Sequence, residues 1–155
     1  MADTNRLEPG SPAFEKVRAG TRSSFRFVEN VGIDLLEYGR GHCRMMMPLE
    51  GNVNHGGIMY AGSLFTLAEM PGGVLFGSVF DSKRFYPIVG EVKIRFALPA
   101  GDAFVTATMS DGEIDRITTE LEATGRAKYV LDLELTDGDA NVVSTSSGIY
   151  FALSH

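Results

Sequence analysis

Tryptophan is absent from the 155 residues, cysteine occurs once and histidine three times. A single thiol, Cys43, excludes an intramolecular disulfide and any multi-cysteine zinc site. Positive charge is also scarce, with 14 Lys and Arg against 20 Asp and Glu and a net charge of −6. That balance offers no basic face for nucleic acid. The opening residues, MADTNRLEPGSPAF, hold no basic segment followed by an apolar run. No secretory leader is expected, and the cytoplasm is the expected compartment. Internal repeats and low-complexity segments are missing as well. What is present is ordinary for a folded domain: 44% hydrophobic and 22% charged residues. The length fits one domain.

Residues 1–12 are polar and contain Pro9, Gly10 and Pro12. They read as a mobile tail, or an arm on a partner subunit, ahead of a single domain over 13–155. A short helix is predicted over 13–19, capped by Ser11 with Pro12 at its first position. Two strand-like runs, 33–38 and 42–48, flank a Gly39-Arg40-Gly41 turn. Residues 51–57, GNVNHGG, form a loop by composition. Four further strands are predicted over 86–98, 102–110, 126–136 and 141–153. A helix over 111–123 sits among them, capped by Asp111, with Ile114, Ile117 and Leu121 on one face.

The run 58–80 is the longest apolar stretch in the chain. It is long enough to cross a membrane. However, it carries Gly62, Gly72, Gly73, Gly77, Pro71 and Glu69, and its surroundings read as strands. A helix apolar on all sides because it is buried on all sides is the better reading. Pro71 should bend or end it near Met70. Such a helix needs cover, which four to six antiparallel strands supply by curving round it. The expected class is therefore α+β, an antiparallel β-sheet wrapped around a long central helix.

Two features could carry chemistry. Glu69 is a carboxylate in an apolar helix, costly to bury without a partner; it either reaches solvent beside Pro71 or serves a site. The Gly-rich segment from Asn54 to Gly62 precedes the same helix. Unpaired N–H groups at a helix start suit a polarised carbonyl. Gly62 and Glu69 are seven residues apart, about two turns, and so lie on nearly the same side. His55 falls in the loop. Met45, Met46 and Met47 read as core, or as the lining of an apolar pocket with Phe65 and Phe76. Lys83-Arg84 and Arg126 with Lys128 read as exposed charge that could hold phosphates. Cys43 reads as inert.

The segment NHGGIMYAGSLFTLAE, Asn54 to Glu69, resembles the loop–helix signature of hotdog-fold acyl-CoA thioesterases of the phenylacetate-degradation type. It also resembles the thioesterase-like domain fused to some acetyltransferases. Asn54 and Gly57 match the signature's Asn and Gly, and Tyr60-Ala61-Gly62 falls where His-Gly-Gly belongs. Ser63 to Ala68 matches the helix, and Glu69 takes the catalytic Asp position. Read literally, His55-Gly56-Gly57 spells the signature instead, but that register puts Leu64 at the catalytic position. The order of elements agrees over roughly 33–153.

The resemblance implies a hotdog fold, a homodimer or dimer of dimers, and hydrolysis of an acyl-CoA or related thioester. It implies a site between subunits. Ala61 and Gly62 N–H groups would polarise the carbonyl, Glu69 would be general base or nucleophile, and Asn54 would position water or the carboxylate. Tyr60, Gly57, Ser63, Arg84 and Arg126 would contact the substrate. Coenzyme A would enter as part of the substrate; no metal or redox cofactor is implied. Tyr60 for His and Glu69 for Asp depart from the pattern. Two other functions fit the fold: acyl or lipid binding without turnover, and a dehydratase or hydratase, which needs a His paired with a carboxylate.

Overall fold

In the computed structural model the described residues are 5–98 and 101–155. Residues 1–4 of the expected tail, and Pro99-Ala100 in the predicted turn after the third strand, lie outside them.

The chain runs α1 (Pro12–Arg22), α2 (Arg26–Val31), β1 (Asp34–Gly39), β2 (His42–Met47), α3 (Ala61–Gly77), β3 (Phe85–Phe96), β4 (Ala103–Thr108), α4 (Asp111–Thr124), β5 (Arg126–Thr136) and β6 (Val142–Ser154). The strands form one six-stranded sheet in the order β1-β2-β4-β5-β6-β3, with every pair antiparallel. The class is α+β, as expected.

Local chemistry sets the boundaries. Ser11 caps α1 by accepting the Phe14 N–H at 3.2 Å, and Pro12 opens the helix. The helix continues to Arg22, three residues beyond the predicted end. The β1–β2 hairpin turns on Arg40-Gly41, where Gly41 has φ +64° and a Cβ would overlap the Met109 carbonyl. For α4 the cap is Ser110, which accepts the Glu113 N–H; Asp111 instead sits in the first turn, against the helix dipole. Gly125, at φ +73°, ends it.

The sheet's inner face is built by alternation. On β5, Ala127, Tyr129, Leu131, Leu133 and Leu135 turn inward and are buried, while the residues between them are exposed. α3 lies against β2 to β6 on that face. Leu64, Leu67, Leu75 and Phe76 of α3 join Met45, Met47, Val105 and Tyr129 in the core. β4 and β5 pair only at Phe104↔Thr136 and Val105↔Leu135. α4, which packs on β5 and β6, buries Ile114, Ile117 and Leu121.

Two expectations need correction. Of the bend or end expected at Pro71, the end near Met70 does not occur: the helix runs six residues past the proline, to Gly77. An interior proline costs about 3 kcal/mol, and packing offsets it. Pro71 is itself buried, and the hydroxyls of Tyr150 and Tyr129 donate to the Glu69 and Gly72 carbonyls at 3.0 and 3.1 Å. Gly72 permits this approach, since a Cβ there would overlap the Tyr150 ring. The second concerns the segment expected to be a mobile tail. Its residues 5–7 lie along β1: Leu7 N–H donates to Tyr38 O at 2.8 Å, Arg40 N–H to Asn5 O at 3.0 Å, and Arg6 pairs with Glu37 at 3.0 Å.

Among the described residues, no helix is long and apolar enough to cross a membrane. The far edge of β3 pairs with no described strand.

Candidate active site

The start of α3 is held by a residue that the sequence reading passed over. Asn52 is buried. Its amide donates to Val31 O at 2.8 Å and Pro48 O at 2.9 Å, and its carbonyl accepts the Ser63 hydroxyl at 2.8 Å. The Asn52 main-chain carbonyl accepts the Tyr60 N–H at 2.8 Å. One residue thus ties the strand-side loop to the first turn of α3. Ser63, expected against substrate, is buried and donates its hydroxyl to Asn52, which anchors the helix start. The missed signal was a lone Asn two residues before the Asn-His-Gly-Gly motif, unremarkable among loop polar residues.

Asn54 shapes the turn that follows. Its side-chain oxygen accepts the Gly56 N–H at 2.8 Å, and Gly57 N–H bonds back to Asn54 O. Gly57 has φ +78°, so it serves the turn. The Asn54 NH2 has no acceptor among the described residues.

α3 then begins without a side-chain cap, since Tyr60 stands at the N-cap. No described residue accepts the Ala61 or Gly62 N–H groups, so the helix start presents unpaired donors and the positive end of its dipole. The Tyr60 ring is 59% exposed and folds back over Gly62, where a Cβ would overlap it. The helix starts at Ala61, directly after Tyr60, and His55 lies exposed in the loop.

Glu69 stands two turns along α3. It is half-buried, and its carboxylate has no hydrogen-bond or ionic partner among the described residues. Burial pushes its pKa above the usual 4.5. It lines a cavity of about 790 Å³ between α3 and the α1–α2 segment. Asn54 and Ala61 line a different one, of about 320 Å³, with Ile58, Leu64, Phe96 and Leu98. Within one chain, then, the carboxylate and the unpaired donors face separate spaces.

The expected phosphate-binding arginines lie beyond the far end of α3. Arg84 is 3.7 Å from Glu122 and lies over the Phe85 ring; Arg126 lies over the Phe151 ring. His42 does pair with a carboxylate, Glu37 at 2.8 Å. That pair lines a third cavity, of about 1280 Å³, among Arg44, Arg95 and other residues, and none of the expected site residues is there. Burial raises the Cys43 thiol pKa to about 12, so it is no nucleophile at neutral pH. No metal-binding cluster occurs among the described residues.

Residues 22–154 match the family described as "Putative thioesterase (yiiD_Cterm)". A probable thioesterase of unknown function from Pseudomonas aeruginosa is 45% identical and superposes with a TM-score of 0.88, covering 94% of this chain and 97% of its own. A structure described as a "putative thioesterase" from Shewanella oneidensis is 20% identical with a TM-score of 0.73, over 90% of this chain and 96% of that one. A Haemophilus influenzae thioesterase is 15% identical with a TM-score of 0.69, over 88% of each chain. The last two share the fold. No curated protein matches.

Proposed function

Since the chain belongs to this thioesterase family, we propose that it hydrolyses acyl-CoA or a related acyl thioester at a site completed by a second subunit. The observation that carries the reading is Glu69: a half-buried carboxylate, unpartnered, on the wall of a cavity. In this account α3 is the central helix of a hotdog fold. Glu69 deprotonates the attacking water, or attacks the thioester carbonyl itself. The Ala61 and Gly62 N–H groups of the other subunit hold the carbonyl oxygen as charge develops on it. Asn54, through its NH2, orients water or carboxylate. Tyr60, folded over Gly62, borders that donor pair where a substrate would enter.

The separation of the two half-sites within one chain supports the shared site. So does the free edge of β3. Tyr86, Ile88, Val89 and Phe96 are all more than a third exposed along this strand. An unpaired apolar edge invites pairing with its own copy. The reading therefore includes a homodimer, or a dimer of dimers, with coenzyme A as part of the substrate and no further cofactor.

The test is free-thiol release from a panel of acyl-CoA substrates by the native protein and Glu69→Gln. Loss of two or more orders of magnitude in the variant is expected, the scale for removing an acid–base group. Acyl-CoA binding without turnover in the native protein would replace this reading with acyl binding.

A further inference from the structure

The cavity beside Glu69 has a shape the catalytic reading does not use. Glu69, Gly73 and Gly77 are spaced i, i+4 and i+8 on α3, and all three line it. A Cβ at Gly73 would meet nothing within 4 Å, and one at Gly77 only the Tyr38 hydroxyl at 3.7 Å. On the opposite wall Gly20 of α1 is equally open. Val17, Phe25, Met70 and Val74 make the lining largely apolar. Tyr38 and Ser82 line it too, and the Tyr38 hydroxyl stands beside Gly77, about two turns along α3 from Glu69.

We infer that this groove holds the acyl chain of the substrate and that its length sets a preference for medium-chain thioesters. The inference rests on the thioesterase reading, which places the reacting carbonyl at Glu69. From Glu69 to Gly77 is eight residues, a rise of about 12 Å. An extended hydrocarbon advances about 1.3 Å per carbon, from bonds of about 1.5 Å. The stretch from Glu69 to Gly77, where Tyr38 stands, therefore takes about eight to ten carbons. A cavity of about 790 Å³ is within the size range of small-molecule sites. Butyryl chains leave its far half empty, and hexadecanoyl chains overrun it.

Gly77 and Gly20 are thus specificity-determining residues. A leucine at position 77 points back along the helix and fills the groove between 73 and 77. A leucine at position 20 narrows it from the other wall. The experiment compares kcat/KM for butyryl-, octanoyl-, decanoyl- and hexadecanoyl-CoA in the native protein, Gly77→Leu and Gly20→Leu. Each variant is first checked for a native circular-dichroism spectrum and melting profile. The native protein should favour octanoyl- and decanoyl-CoA, and each variant should lower the decanoyl-to-butyryl ratio tenfold or more. A flat native chain-length profile would overturn the inference, as would variants that slow both substrates alike. Calorimetric binding of the non-hydrolysable thioethers S-decyl-CoA and S-butyl-CoA separates the two readings. Tighter decyl binding, lost in Gly77→Leu, upholds the groove even if no thioester is hydrolysed. Equal binding of both by all three proteins overturns the groove while leaving hydrolysis standing.

Discussion

Replacing Asn52 with alanine removes three well-formed hydrogen bonds at once, two donated to Val31 O and Pro48 O and one accepted from Ser63. Each contributes about 1 kcal/mol net, and buried partners left without a replacement raise the cost, so the loss is about 3–5 kcal/mol. Against a total of about 5–15 kcal/mol for a domain, that is a large fraction. Ser63→Ala leaves only the Asn52 carbonyl unmet and should cost about 1–2 kcal/mol. The two residues touch, so their effects should be less than additive, by about 1 kcal/mol in a double-mutant cycle. Urea unfolding at matched protein concentration measures all three values. The consequence for chemistry is separate: the same network fixes the first turn of α3, so Asn52→Ala should slow thioester hydrolysis even where the protein is fully folded. A loss of less than about 1 kcal/mol for Asn52→Ala would refute the claim that this network holds the helix start.

Three other outcomes follow from named residues. Glu69 binds its proton more tightly folded than unfolded, because burial raises its pKa. Stability is therefore lost as pH rises from the ordinary carboxylate value through the raised one. Glu69→Gln should melt at a higher temperature than the native protein at pH 8 and show no such gain at pH 4, by differential scanning calorimetry. Ile88→Lys places a charge on the free β3 edge; sedimentation should show a dimer for the native protein and a monomer of 16.8 kDa for the variant. Cys43, fully buried with its pKa raised to about 12, should resist a thiol reagent at pH 8 until urea unfolds the chain.

Much of the fold was legible because local signals agreed with one another. β5 alternates cleanly, Ser11-Pro12 opens α1, and Gly125 closes α4. α3 was legible as a buried helix, but its length was not. A proline reads as a break from sequence, but the helix is held to the sheet on both sides of it by Tyr129 and Tyr150, 57 and 81 residues away in sequence from the carbonyls they bond. The six-residue α2 gave no periodic signal in so short a span. At the candidate site, Glu69 and the donor pair stand out in the sequence because a carboxylate in an apolar helix and a glycine-rich helix start are both unusual. Asn52 was not, because its importance lies in three partners that only the folded loop assembles. Ser63, carried over from a resemblance, proved to be one of them. The groove of Gly20, Gly73 and Gly77 joins α1 to α3, a pairing no local pattern announces.

The central claim is that Glu69 of one subunit works with the helix start of another, and complementation tests it most directly. Glu69→Gln removes the carboxylate. Gly62→Val forces the exposed Tyr60 ring aside and crowds the unpaired donors. Each variant alone should hydrolyse acyl-CoA at no more than about a hundredth of the native rate, the loss expected for an acid–base or oxyanion group. Unfolded together in equal amounts and refolded, half the dimers are mixed and carry one intact site of two. The mixture should recover about a quarter of native turnover if the site is shared across the symmetric dimer. A mixture as inactive as its two parents would contradict the shared site.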